Sequence, residues 1–184
     1  MTDHVWPEEW TTEEREKFLE QLIDIYAKPI TNFAYTYVKD WGTAEDIAQD
    51  VFIKVNEHLD TFRQEASLQT WIYQIAANRS KDILRKKYFK TTFVTDLVEK
   101  MILKRDEHTP EKHVMQITEG EELAQMVLDL PVKFREVIIL YYYHDLSTTA
   151  ISQFLNINAA TVKSRLQRGR HRLKDILLEE KIHE

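Results

Sequence analysis

Apolar side chains return every three or four residues along almost the whole chain, the period of helices with one buried face. Between residues 11 and 40, Phe18, Leu22, Ile25, Tyr26, Ile30, Phe33, Ala34 and Tyr37 share such a face. Pro29 interrupts them, as a kink or as a break between two helices. Trp41-Gly42 reads as a turn, with Thr43 capping the next helix and Asp46, three residues on, completing a weak capping box. That helix spans 44–59 and buries Ile47, Ala48, Val51, Val55 and Leu59. Residues 60–67 are polar and read as a loop. A further helix over 68–87 sets Ile72, Ile75, Ala76 and Ile83 on its buried stripe.

The pattern weakens over 88–118, where threonines, charges and Pro110 argue for a linker. Four more helices follow. Glu121–Leu130 ends before Pro131, "VKFREVIILYYYHDL" forms the second, and "STTAISQFL" the third, capped by Ser147. "NAATVKSRLQRGRHRLKDILLEE" forms the fourth, capped by Asn158. The "LNIN" between the last two is short enough for a helix-turn-helix. The expected fold class is therefore all-α. Two small helical domains, 1–88 and 121–184, are joined by a flexible linker, 89–120.

Composition narrows the picture. Three glycines and four prolines in 184 residues disfavour turn-rich β architecture. The absence of cysteine excludes disulfides, thiolate metal sites and cysteine nucleophiles. The N-terminus "MTDHVWPEEWTTEEREKF" is acidic and has no apolar core, so it does not read as a signal peptide. No run of eighteen apolar residues exists, and a cytoplasmic location is expected. No nucleophile–base spacing, Gly-rich phosphate loop or HExxH occurs, so neither an enzyme, a cofactor nor a metal site is expected, and no small-molecule substrate either.

Charge is distributed unevenly. Residues 79–90 carry +5 and 161–174 carry +6, against −6 for the chain, so the remainder carries −17. Two basic islands in an acidic background point to nucleic acid. On a helical wheel, Val162, Leu166, Gly169, Leu173, Ile176 and Leu177 form a stripe about 100° wide. Opposite lie Ala160, Thr161, Ser164, Gln167, Arg168 and His171, flanked by Lys163, Arg165, Arg170 and Arg172. Small and hydrogen-bonding groups facing out between cationic flanks suit a helix in a DNA major groove. His171 reads as facing solvent or phosphate rather than as a metal ligand. On the 68–87 helix, Trp71, Gln74, Asn78, Lys81, Asp82 and Arg85 share a face, a combination suited to unstacked bases. Packing is the competing role for Trp71. Arg79 falls within the buried stripe and needs a carboxylate from the 44–59 helix.

Three segments, "GTAEDIAQDVFIKV", "SLQTWIYQIAANRSKDILRKK" and "LSTTAISQFLNINAATVKSRLQRGRHRLKDIL", resemble successive motifs of the extracytoplasmic-function (ECF) sigma factors of bacterial RNA polymerase. "LPVKFREVIILYYYHDL" is similar to the segment opening their C-terminal domain. The resemblance implies binding and promoter opening rather than covalent chemistry. It implies core RNA polymerase as a partner, through the β′ clamp helices and the β flap, together with promoter DNA and an anti-sigma factor of a kind often membrane-bound. By that resemblance Asp46, Gln49, Asp50, Phe52 and Lys54 would meet polymerase. Phe62, Ser67, Trp71, Gln74, Asn78, Lys81, Asp82, Arg85 and Lys86 would hold the −10 strand. Ala160, Thr161, Lys163, Ser164, Arg165, Gln167, Arg168, Arg170 and Arg172 would read the −35 duplex. "STTAIS", Asn158 and Ala160 depart from the glutamate, proline and glycine usual in the family at those places. A stand-alone helix-turn-helix regulator explains residues 147–174 equally well, but leaves the 44–59 helix and the first basic island without a role.

Overall fold

The computed structural model describes the backbone of residues 10–98 and 119–183, and side chains over 10–88, Gly120 and 122–178. The extension before Trp10 and the linker over 99–118 lie outside the described residues. Among the described residues every regular element is helical: α1 (Thr12–Val38), α2 (Trp41–His58), a 3-10 turn (Leu59–Thr61), α3 (Leu68–Val98), α4 (Glu119–Asp129), α5 (Val132–Tyr142), α6 (Thr148–Leu155) and α7 (Ala159–His183). The chain divides into two compact units, the first ending at Leu84 and the second beginning at Arg85.

In the first unit α1 runs unbroken through Pro29. Leu22 before the proline and Ile30, Phe33, Ala34 and Tyr37 after it are all buried, while Pro29 itself is exposed. Packing on both sides of the proline outweighs the loss of one helical hydrogen bond. Ile25, expected inside, is 60% exposed because the packed stripe passes beside it. Trp41-Gly42 is not a turn but the first helical turn of α2. Asp40 is the cap, accepting from the Thr43 N–H at 2.7 Å, and left-handed Lys39 (φ 56°) makes the turn. Aspartate at residue 40 is simply a better cap than threonine three residues later.

Ala44, Ile47, Ala48, Val51, Phe52 and Val55 of α2 pack against α1, with Leu59 closing the end. The buried face of α3 is Ile72, Tyr73, Ala76, Ala77 and Ser80; Ile75 and Ile83 are only half-buried. Tyr73 shifts the stripe because its ring meets Phe33 edge-on at 5.0 Å. Burial raises the Tyr73 pKa. Ser80 is fully buried and donates to the Ala76 carbonyl at 2.8 Å, which removes the cost of its hydroxyl. α3 continues past residue 87, since no glycine or proline interrupts 88–98 and extending a formed helix is easy.

In the second unit α5 is central. Phe134 to Leu140 are all buried, as expected for a helix packed on by α4, α6 and α7. It ends at Tyr142, earlier than its apolar run implies. Arg135 is buried among these residues and donates twice to the Leu130 carbonyl, at 3.1 and 2.9 Å. Gly169 of α7 packs tightly on α5: a Cβ there would stand 3.1 Å from Ile138 Cγ1. Leu177, placed on the apolar stripe by the wheel, is 40% exposed because α7 has by then outrun the elements it packs on.

His144 follows α5, half-buried, and burial lowers its pKa from the ordinary 6.5. The folded unit therefore holds its proton less tightly than the unfolded chain, and stability falls as pH drops below the unfolded value. The unfolding midpoint of the C-terminal unit should be steady above about pH 7 and decline below about 6.5. His144→Gln should flatten that decline relative to wild type in paired thermal melts.

Candidate nucleic-acid interface

Two caps set the helix-turn-helix. Ser147 accepts from the Ala150 N–H at 3.1 Å to start α6, and Asn158 accepts from the Ala160 N–H at 2.7 Å to start α7. Between them Asn156 takes the left-handed conformation (φ 51°) that ends α6, and Ile157 N–H donates to Ser152. Val162 and Leu166 are buried, fixing the rotation of α7. Ala160, Lys163, Ser164, Gln167, Arg168, Arg170 and Arg172 are exposed, with Thr161 half-buried beside them. Ser164 returns its hydroxyl to the Thr161 carbonyl at 3.0 Å, which shortens the edge it offers.

The cations expected on the flanks are not equivalent. Lys163 and Arg168 project with no hydrogen bond or ion pair among the described residues. Arg170 donates to the Tyr142 hydroxyl at 2.9 Å and lies 5.5–5.6 Å from the Tyr141 and Tyr142 ring centres. Arg172 lies over Phe134 at 5.3 Å. Arg165 departs from expectation. It turns inward to Glu136 at 2.9 Å, a carboxylate 5% exposed, and so is committed to the core rather than free for phosphate. His171 is exposed and sits 3.7 Å from Asp175, with no metal-binding cluster among the described residues.

The other candidate face lies on α3 and the loop before it. Ser67 opens α3 by accepting from the Thr70 N–H at 3.1 Å. Trp71 is half-buried and packs on Phe62 at 4.9 Å, the packing role that competed with base stacking. Asn78, Arg85 and Lys86 are exposed, while Gln74, Lys81 and Asp82 are half-buried. Phe62 and Ser67 line a cleft of about 470 Å³ with Phe18, Gln64, Glu65, Ala66 and Leu68. Of these, Phe18 is expected from the sequence only as core, and Gln64 only as part of the loop 60–69 that the resemblance places on the −10 strand. The left-handed Gln64 (φ 57°) has no glycine to signal it.

On α2, Asp46, Gln49 and Lys54 are exposed. Asp50 is engaged with Arg79, whose Nε and Nη2 reach the same carboxylate oxygen at 2.7 and 2.5 Å, the pairing that Arg79 required. Phe52 is 7% exposed and offers only an edge to the groove between α1 and α2, which Gln49, Ile23 and Ile53 also line.

The pattern of Sigma-70 region 2 matches residues 22–89, and that of Sigma-70 region 4 matches 120–173. The ECF RNA polymerase sigma factor SigW of Bacillus subtilis is 35% identical, over 83% of this chain and 85% of that protein. The chain belongs to the ECF sigma factors of the sigma-70 family. It is a promoter-recognising RNA polymerase sigma factor. SigM of B. subtilis is similar at 28% identity, over 85% of this chain and 93% of its own length. The sigma factor RpoE, solved with the anti-sigma factor NepR from Bartonella quintana, shares the fold (TM-score 0.67, 22% identity), covering 88% of this chain and 97% of that one. In this sigma factor the region 2 match takes in the loop 62–67 and Trp71, and the region 4 match takes in the helix-turn-helix.

The two arginines of α7 should therefore separate by experiment. Arg165→Ala should cost about 2–4 kcal/mol of stability by leaving the Glu136 carboxylate without this cation. Arg168→Ala should stay within about 0.5 kcal/mol of wild type. Urea unfolding of the full chain checks both.

Proposed function

We propose that this sigma factor divides promoter reading between its two units. α7 takes the −35 duplex, with Ala160, Thr161, Ser164, Gln167 and Arg168 toward base edges and Lys163, Arg170 and Arg172 toward phosphates. The observation that carries this reading is the exposed edge of α7, where Lys163, Gln167 and Arg168 have no side-chain partner among the described residues while Val162, Leu166 and Arg165 turn to the core. Phe62, Ser67, Trp71, Gln74, Asn78, Lys81, Asp82, Arg85 and Lys86 engage the −10 strand, with an unstacked base entering the cleft beside Ser67.

Asp46, Gln49 and Lys54 of α2 dock on the β′ clamp helices, with Phe52 contributing its edge and Asp50 held in place by Arg79. The C-terminal unit meets the β flap. The domains run 1–88 and 121–184 with 89–120 as linker. The factor acts in the cytoplasm by binding rather than by covalent chemistry; among the described residues no helix is long and apolar enough to cross a membrane. An anti-sigma factor holds it inactive. Supporting this, the similar folds of RpoE and of CnrH (TM-score 0.59, 19% identity) were solved with NepR and with the cytosolic domain of CnrY. A stand-alone duplex-binding regulator would leave the region 2 match without a role.

Pulldown of core RNA polymerase tests the reading, and absence of binding would remove it. Arg168→Ala should weaken holoenzyme binding to a −35 duplex by about 1–3 kcal/mol with core affinity unchanged. Equal loss of both would contradict the division of labour.

A further inference from the structure

The N-terminal turn of α1 is tied to the loop that lines the cleft, by residues to which promoter reading assigns nothing. A reciprocal capping box starts α1. Glu14 N–H donates to the Thr11 hydroxyl at 3.3 Å, and the Thr11 N–H and hydroxyl donate to the Glu14 carboxylate at 3.1 and 2.6 Å. These bonds hold the Glu14 carboxyl below its ordinary range. The box turns the preceding residue, Trp10, back over the helix, where its ring meets Phe18 at 5.0 Å. Phe18 is also a wall of the cleft.

One turn in, Arg15 reaches across to the end of α2 and the 3-10 turn. Its Nε donates to Asn56 Oδ1 at 2.9 Å, its Nη1 to Asp60 Oδ2 at 2.7 Å, and its Nη2 to the Asn56 carbonyl. That guanidinium joins three acceptors on the segment that leads directly into Phe62. Phe62 is held from the other side by Trp71 and by its own N–H bond to Leu59 at 3.3 Å. The loop 62–67 is thus clamped by Arg15 at its entry, by Trp71 beside it, and by Trp10 behind the Phe18 wall.

We infer that Trp10 and Arg15 are positioning residues for −10 recognition: they hold the cleft open and shaped before DNA arrives, so that capture of an unstacked base does not first have to order the loop. Neither needs to touch DNA. The inference rests on the reading of this loop as the −10 reader.

The test uses the full chain reconstituted with bacterial core RNA polymerase. It measures core affinity, the fraction of open complex by permanganate reactivity, and base selectivity at each −10 position on a template library. Trp10→Ala and Arg15→Ala should each lower the open complex about tenfold and flatten selectivity at one −10 position, with core affinity and −35 duplex binding unchanged. Trp10→Phe should restore selectivity, since a ring still backs Phe18. Unchanged opening and selectivity in both alanine variants would overturn the inference. So would a parallel loss of core affinity and opening, which marks a merely structural role. Phe62→Ala separates the two layers. If it leaves opening and selectivity intact, the loop is not the −10 reader and the inference falls with that reading. If Phe62→Ala impairs both while the Trp10 and Arg15 variants do not, only the inference falls.

Discussion

The C-terminal unit depends on how α7 is held against α5. A DNA-reading helix must be fixed in rotation by one side and bare on the other. Val162 and Leu166 supply apolar contact, and Gly169 lets the backbones approach until Ile138 sits where a larger residue would clash. The ion pair between Arg165 and the buried Glu136 adds direction. An apolar stripe alone tolerates some rotation, whereas a buried carboxylate accepts its partner from one bearing only. A buried pair of this kind need not raise stability over an apolar pair, but losing Arg165 would leave the Glu136 carboxylate without this cation.

The first unit applies the same device to different ends. Arg79 and Asp50 tie α3 to α2, joining the helix proposed to hold the −10 strand to the helix proposed to meet polymerase. Pro29 shows how far packing governs this unit. Ile30 follows it directly and is fully buried, so a break there would have opened the core.

Helical periodicity made the fold legible in the sequence, and the wheel of α7 located its exposed edge. The helix ends were less legible, because Asp40 and Thr43 both qualify as caps and only the tertiary fit decides between them. Arg165 was illegible for a different reason. A guanidinium has the same composition whether it meets a phosphate or a carboxylate, and its wheel position on the flank permits both. Arg79 could be read because its place inside an apolar stripe left only a paired fate. The cleft was illegible because its wall is shared by residues far apart in sequence, Phe18 and Phe62.

The cations of α7 bear on how tightly the helix alone would hold DNA. Arg165 is spent on Glu136, while Lys163, Arg168 and Lys174 make no hydrogen bond or ion pair among the described residues, and Arg170 and Arg172 stay exposed beside aromatic rings with their charge intact. Each phosphate neutralised adds about 0.9 to the salt slope, so withdrawing Arg165 makes the slope of this helix on duplex DNA shallower. The remaining −17 of the chain opposes DNA binding further. Affinity for a promoter must then come from holding two weak contacts at once, each raising the effective concentration of the other. In the proposed reading that requirement is met when the sigma factor is seated on polymerase, and the acidic remainder would disfavour occupancy of DNA by the sigma factor alone.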